Sequence, residues 1–255
     1  MPTLYDYMDS GNGYKIRLAL AQLGQACRWV ELDILAGATR QPGFLAKNAN
    51  GRIPTLELDD GTCLAESDAI LWYLAEGSPL LPGSRLERAK VLQWMFFEQY
   101  SHEPYVATPR FIVKHLPADS PRQAELPKRL EQGRAALAVM ESHLKDHAYF
   151  VGERYTIADI ALYAYTHVAH EGHLDLAPYP KVRAWLERVA GARGEAARTH
   201  SDHLATARLR FKRQQLSRAV PRAPAPSAAA CRAWRPRPSR LRRGRPPRLS
   251  GRHDP

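Results

Sequence analysis

Hydrophobic and polar positions change period twice along this chain. In the first 78 residues, short runs of strand type trade places with short helical ones. Thr3–Met8 reads as a strand. From Tyr14 to Leu23 the apolar residues stand at 16, 18, 19, 20 and 23, a helical spacing, and Gly24 follows as a stop signal. Cys27–Asp33, with Trp29, Val30 and Leu32, reads as a second strand, and Pro42-Gly43-Phe44-Leu45 as a short helix or turn. Thr55–Leu58 and Thr62–Ala65 flank the turn Asp59-Asp60-Gly61 and predict a hairpin. Ser67–Glu76 is helical, with Ile70, Leu71 and Leu74 on one side. The order βαβ, then ββα, predicts an α/β half over residues 1–78.

Residues 79–84, Pro-Leu-Leu-Pro-Gly-Ser, break the pattern and read as a linker. Helical periodicity then runs over 85–115, 122–146, 156–170 and 180–190 with no convincing strand, which predicts an all-α domain over 85–192. Near residue 193 the composition shifts again. Of the chain's 37 Lys+Arg and 26 Asp+Glu, 17 and 3 fall in 193–255, leaving 20 and 23 for residues 1–192. The net charge of +11 therefore describes a basic tail on a mildly acidic body. The tail has 16 Arg and 8 Pro and lacks Ile, Tyr, Asn and Met, so it is expected to be disordered. It admits three readings: a nucleic-acid-binding segment acting through counterion release, a localisation or interaction segment, or a frame-shifted extension of GC-rich coding sequence. The last is favoured, and no specific nucleic-acid partner is assigned.

The 44% apolar content suffices for a sizeable core, and no uncharged apolar run reaches the length of a membrane span. The N-terminus enters a strand pattern at once, without a signal-peptide pattern. Cys27, Cys63 and Cys231 form no Cys-x-x-Cys pair, which argues against a disulfide framework or zinc site and fits a reducing cytoplasm.

Three short segments carry candidate chemistry. Ser10 falls between the first strand and the first helix. A hydroxyl there lies beside free N–H groups at the positive end of a helix dipole, where a docked thiol could be held as thiolate. Lowering a thiol pKa from its usual value of about 8.5 by two units needs about 3 kcal/mol, within reach of one charge-assisted hydrogen bond plus a helix terminus. Taken alone, Ser10 fits a helix cap better, with Gly11 and Gly13 making the turn. Ile53-Pro54 opens the third strand; a proline removes a ladder donor and is tolerated only at an edge or a strand start. Glu66-Ser67 closes the fourth strand; Ser67 as an N-cap would face a free anion site. In the second half, Thr156 and Asp159 form a capping box, a feature of stability. His167, His170 and His173 lie three apart around Glu171, but read as solvated histidines at a helix C-terminus, and no metal is assigned.

These segments, at these distances, resemble the glutathione-binding domain of the cytosolic glutathione transferases. Leu4 to Arg17 aligns without gaps to the start of the bacterial serine types, the theta- and zeta-like groups, whose catalytic serine falls on Ser10. A nu-like bacterial group uses an Asn that contacts the sulfur, and Asn12 stands at that place, so both residues are catalytic candidates. The resemblance implies a thioredoxin-like N-terminal domain in which Pro54 is cis, leaving the Ile53 backbone free to pair with the cysteinyl unit of glutathione. It implies that Glu66 and Ser67 take the γ-glutamyl ammonium and carboxylate, with Arg52 beside the glutathione backbone. Phe150-Val151-Gly152 through Asp159 match the family's second-domain folding motif. Tyr100, Tyr105 and Phe111 are candidates for the cleft that would hold a small hydrophobic electrophile. The implied protein is a cytoplasmic homodimer that uses glutathione as co-substrate and no metal. Two alternatives stay open: a glutathione-dependent disulfide reductase or peroxidase, and a non-catalytic binding or regulatory protein of the same fold. A zeta-like isomerase is weaker, because the Ser-Ser-Cys start is absent.

Overall fold

The computed structural model describes residues 1–192; the expected basic tail, 193–255, lies outside the described residues. Four strands form one mixed sheet in the order β2-β1-β3-β4. Strand β1 (Thr3–Asp6) pairs in parallel with β2 (Arg28–Glu31) and antiparallel with β3 (Thr55–Glu57), which pairs antiparallel with β4 (Cys63–Ala65). Leu4 lies opposite Trp29 and Leu56, and Leu56 opposite Leu64, so one apolar row crosses the sheet. The strands are shorter than their apolar runs suggest, because the ladder stops where the chain leaves for each loop.

Helices α1 (Gly11–Gln22), α2 (Pro42–Leu45) and α3 (Ser67–Ala75) complete this half. Helix α1 starts three residues before the predicted Tyr14. Gly11 and Gly13 are helical, not turn residues, and the packing requires them. A side-chain carbon on Gly13 would overlap the Asp6 carboxylate, and one on Gly11 would overlap the Tyr165 ring.

The second half holds α4 (Arg85–Phe97), α5 (Glu103–His115), α6 (Leu126–His143), α7 (Ile157–Thr166) and a last described helix over 180–192. The predicted single run 85–115 is interrupted by a π-helical turn, Glu98–His102. Pro104 accounts for it: a proline there has no N–H to give and its ring crowds the carbonyl four residues back. The wider turn accommodates this and sends Glu98 and His102 into the interior, both fully buried. Within the predicted run 122–146, a 3-10 turn (Pro121–Glu125) precedes α6.

Helix α1 packs on both α3 and α7, so it touches both halves. One apolar core results: Leu4, Ile16, Leu56, Ile70 and Leu71 continue into Leu137, Met140, Phe150, Ile157 and Trp185. Each such side chain contributes about 1.5–3 kcal/mol on burial. The Thr156–Asp159 capping box forms as predicted: Thr156 Oγ1 accepts from the Ala158 N–H and Asp159 Oδ2 from the Thr156 N–H.

Candidate active site

Ser10 is the N-cap of α1. Its backbone is extended (φ −78°, ψ 126°), and its Oγ accepts a hydrogen bond from the Gly13 N–H at 3.2 Å. That bond uses the oxygen as an acceptor, so the hydroxyl proton remains available for donation. The Tyr7–Ser10 loop is firmly held. The Ser10 N–H donates to Tyr7 O, Arg17 donates to Met8 O, and the Met8 N–H donates to Glu31. Below it, Arg17 pairs with the fully buried Asp6, whose carboxyl is pushed up to about 6 by burial, against the pull of Arg17.

Asn12 is differently engaged. Its Nδ2 donates to Glu103 Oε1 at 2.8 Å, its Oδ1 accepts from Ser67 Oγ at 3.2 Å, and its N–H donates to the Tyr165 hydroxyl at 3.3 Å. Both ends of the side-chain amide are thus tied into a buried polar network centred on Lys15. The Lys15 ammonium is wholly buried and contacts Glu98 at 2.8 Å, Asp68 at 3.1 Å, Ser67 Oγ at 3.2 Å and Glu103 at 4.0 Å. Burial by itself would favour the neutral amine; the three carboxylates outweigh it and raise the Lys15 pKa. Three carboxyls around one ammonium leave excess negative charge. Glu98, the most buried of them, is pushed well above the usual carboxylate range, first by burial and then by Asp68 and Glu103. His102, fully buried beside Thr166 Oγ1 at 2.9 Å, is driven down to about 3 by burial and by Lys15, so its ring is neutral.

Ser67 is not the N-cap that its sequence position predicts. Glu66 takes that place, with φ +65° and no side-chain cap bond, and Ser67 is the first helical residue. The Ser67 hydroxyl is drawn inward between Lys15 and Asn12, which is why it does not cap. The first bond of α3 runs from the Ile70 N–H to Glu66 O, so the N–H groups of Ser67, Asp68 and Ala69 are free of helical partners. A non-glycine residue at positive φ costs about 1–3 kcal/mol and is typical of functional sites. The Ile53–Pro54 peptide is cis, and neither the N–H nor the C=O of Ile53 has a hydrogen-bond partner among the described residues. Arg52 is exposed; its carbonyl accepts from Asn48.

The aromatic candidates divide. Phe111 and Tyr105 are half-buried on α5; Phe111 packs its ring 5.3 Å from His115, which in turn reaches Asp9 next to Ser10. Tyr100 stands out from the π turn, 82% exposed. Of the histidines, His167 lies against Tyr163 and Tyr14, while His170 and His173 are exposed. No group of three His, Cys, Asp or Glu among the described residues is arranged to hold a metal. Sequence reasoning missed Lys15, Glu98, Glu103, Tyr165, Asp9 and Arg110. For Lys15 a signal existed: it is a lysine four residues after Gly11 and four before Ala19, on the face of α1 that must be buried.

Comparison with known proteins agrees with this geometry. The profile of the glutathione S-transferase N-terminal domain matches residues 2–76, and that of the C-terminal domain residues 94–192. A maleylacetoacetate isomerase of Rhizobium meliloti is 34% identical over 194 residues, covering 74% of this chain and 91% of the relative. The disulfide-bond oxidoreductase YfcG of Escherichia coli is 32% identical over 190 residues, covering 72% and 87%. The crystal structure of a glutathione S-transferase from Pseudomonas fluorescens superposes with a TM-score of 0.71 at 55% identity, covering 74% of this chain and 94% of that one. With a thioredoxin-like half followed by a helical half, and both family domains matched in order, the chain belongs to the glutathione S-transferase family.

Proposed function

We propose that the protein is a glutathione transferase in which Ser10 holds the glutathione sulfur as thiolate for attack on a small electrophile. The observation that carries this reading is the difference between Ser10 and Asn12. The Ser10 oxygen already accepts from Gly13, which leaves its proton to donate and places it at the positive end of α1. The Asn12 amide is committed to Glu103 and Ser67. Glutathione would lie along the free Ile53 edge, with its γ-glutamyl carboxylate on the open N–H groups of α3 and its ammonium near Glu66. Arg52 would lie at the solvent side. The electrophile would be held between this edge and α5, with Phe111 and Tyr105 as apolar walls. The exposed Phe96 and Tyr100, at 68% and 82%, suit a homodimer contact better than a cleft.

One observation favours a second reading, glutathione-dependent disulfide reduction. The relative named as a disulfide-bond oxidoreductase is 32% identical, and one hydrogen of the Asn12 amide has no partner among the described residues. The experiment compares Ser10→Ala and Asn12→Ala by ultraviolet titration of bound glutathione and by rates of conjugation and of disulfide reduction. Ser10→Ala should raise the bound thiol pKa by about 1–2 units, the loss of one charge-assisted hydrogen bond. An unchanged pKa and rate in Ser10→Ala, with both altered in Asn12→Ala, transfers the sulfur contact to Asn12.

A further inference from the structure

Arg110 belongs to α5, in the helical half, yet its guanidinium reaches the loop that precedes Ser10. Its Nη1 donates to Asp9 O and its Nη2 to Asp9 Oδ1, each at 2.7 Å. Its Nε donates to Glu171 Oε2 at 2.7 Å, which fixes the plane of the fork. Lys114, one turn further along α5, bridges the same two carboxylates at 2.8 and 3.1 Å, and His115 Nε2 lies 3.0 Å from Asp9 Oδ2. The backbone at the base of this cluster is closely packed: Gly172 sits so near α5 that a side-chain carbon there would come within 2.6 Å of the Arg110 backbone nitrogen. Burial alone would raise the Asp9 carboxyl; hydrogen bonds from Lys114 and Arg110 hold it below its ordinary value.

The carbonyl that Arg110 grips belongs to the peptide whose nitrogen is that of Ser10. The same peptide's N–H donates to Tyr7 O at 2.9 Å. The Asp9–Ser10 peptide is therefore held at its oxygen by the helical half and at its nitrogen by its own loop. A peptide held at both ends cannot rotate, so the backbone entering Ser10, and with it the direction of the Ser10 side chain, is set from α5. A loop carbonyl ordinarily finds water; here it is taken by a fork that a second carboxylate orients.

We propose that Arg110, oriented by Glu171 and supported by Lys114, is a positioning residue through which the helical domain aims the Ser10 hydroxyl. The proposal rests on the reading of Ser10 as the thiol-activating group. It makes thiol activation depend on a guanidinium whose donors are committed to Asp9 and Glu171.

The test uses the full chain with Arg110→Met, Arg110→Lys, Glu171→Gln and Ser10→Ala. Arg110→Met should lower kcat for conjugation about tenfold, the scale of a misaligned catalytic group, and raise the bound thiol pKa, while the KM for glutathione stays within about twofold. Arg110→Lys can hold the Asp9 carbonyl or its carboxylate but not both, so it should recover part of the loss. The decisive comparison is the double variant Ser10→Ala with Arg110→Met, which should be no slower than Ser10→Ala alone. Additive losses, or a slow Arg110→Met with a wild-type thiol pKa, would reduce the cluster to an ordinary ion-pair network and overturn the proposal. If Ser10→Ala is itself silent, the thiol reading fails. The clamp is then decided by amide hydrogen exchange over residues 7–13, expected to accelerate about tenfold in Arg110→Met; unchanged exchange overturns it. Glu171→Gln, at a more accessible position, should give the same pattern in weaker form, and decides the matter if Arg110→Met does not fold.

Discussion

Replacing Asp159 with alanine should cost about 3 kcal/mol of stability at pH 7, and the structure supplies the terms. The Asp159 carboxylate is fully buried and accepts from the Thr156 N–H at 2.9 Å, the Trp185 Nε1–H at 2.9 Å and the Phe150 N–H at 3.2 Å. Thr156 Oγ1, at 3.3 Å, keeps its bond with Ala158 without it. Alanine leaves three buried N–H donors with no water to replace the carboxylate, at about 1–3 kcal/mol each. An opposing term comes from the carboxylate itself. Burial pushes the Asp159 carboxyl up to about 6, against the hydrogen bonds from Thr156, Trp185 and Phe150. Keeping it ionised at pH 7 therefore costs about 3 kcal/mol relative to the unfolded chain, a cost that alanine removes. The folded pKa lies above the unfolded one, so this group's contribution is fully present below about pH 4 and diminishes as pH rises through 6. The gap between wild type and Asp159→Ala should accordingly be wider at pH 4 than at pH 7. Urea unfolding followed by tryptophan fluorescence at both pH values measures it. Asp159→Asn should fall between the two, because its oxygen can serve Phe150 and Trp185 while its NH2 faces the Thr156 N–H. A loss below about 1 kcal/mol at pH 4 would refute the reasoning, since it is less than one orphaned donor should cost.

Two further substitutions probe the floor of the site. Gly13→Ala should destabilise by about 3 kcal/mol or more, since overpacking here also displaces Asp6 from Arg17, and thermal unfolding should show a midpoint drop of about 6–12 °C. Lys15→Met removes the ammonium that pairs with Glu98 and Asp68 and should cost about 3–5 kcal/mol at neutral pH. That loss should shrink toward pH 5, because Glu98, already raised, takes up a proton more readily than the unfolded chain; chemical unfolding at pH 5 and 8 gives the comparison.

The amino-acid sequence carried the parts of this protein that depend on local chemistry. Periodicity placed four strands and the main helices in their order, the Thr156–Asp159 box marked a helix start, and Ser10 stood where a cap must stand. These are legible because a cap, a turn or an amphipathic face is decided within a few residues. What only the tertiary structure decided are the pairings between distant residues. Gly11 and Gly13 looked like turn residues, but they lie in α1 and must be glycine because Asp6 and Tyr165 pack where a side-chain carbon would go. Ser67 looked like a cap, and was drawn inward by Lys15 and Asn12. Arg110 and Asp9, 101 residues apart, meet only because α5 packs beside the loop that leads into α1. A buried lysine or a guanidinium fork has no preferred sequence spacing to its partners. Its partner is whichever carboxylate or carbonyl the fold brings within reach, since a buried charge left unpaired costs more than the fold can spare.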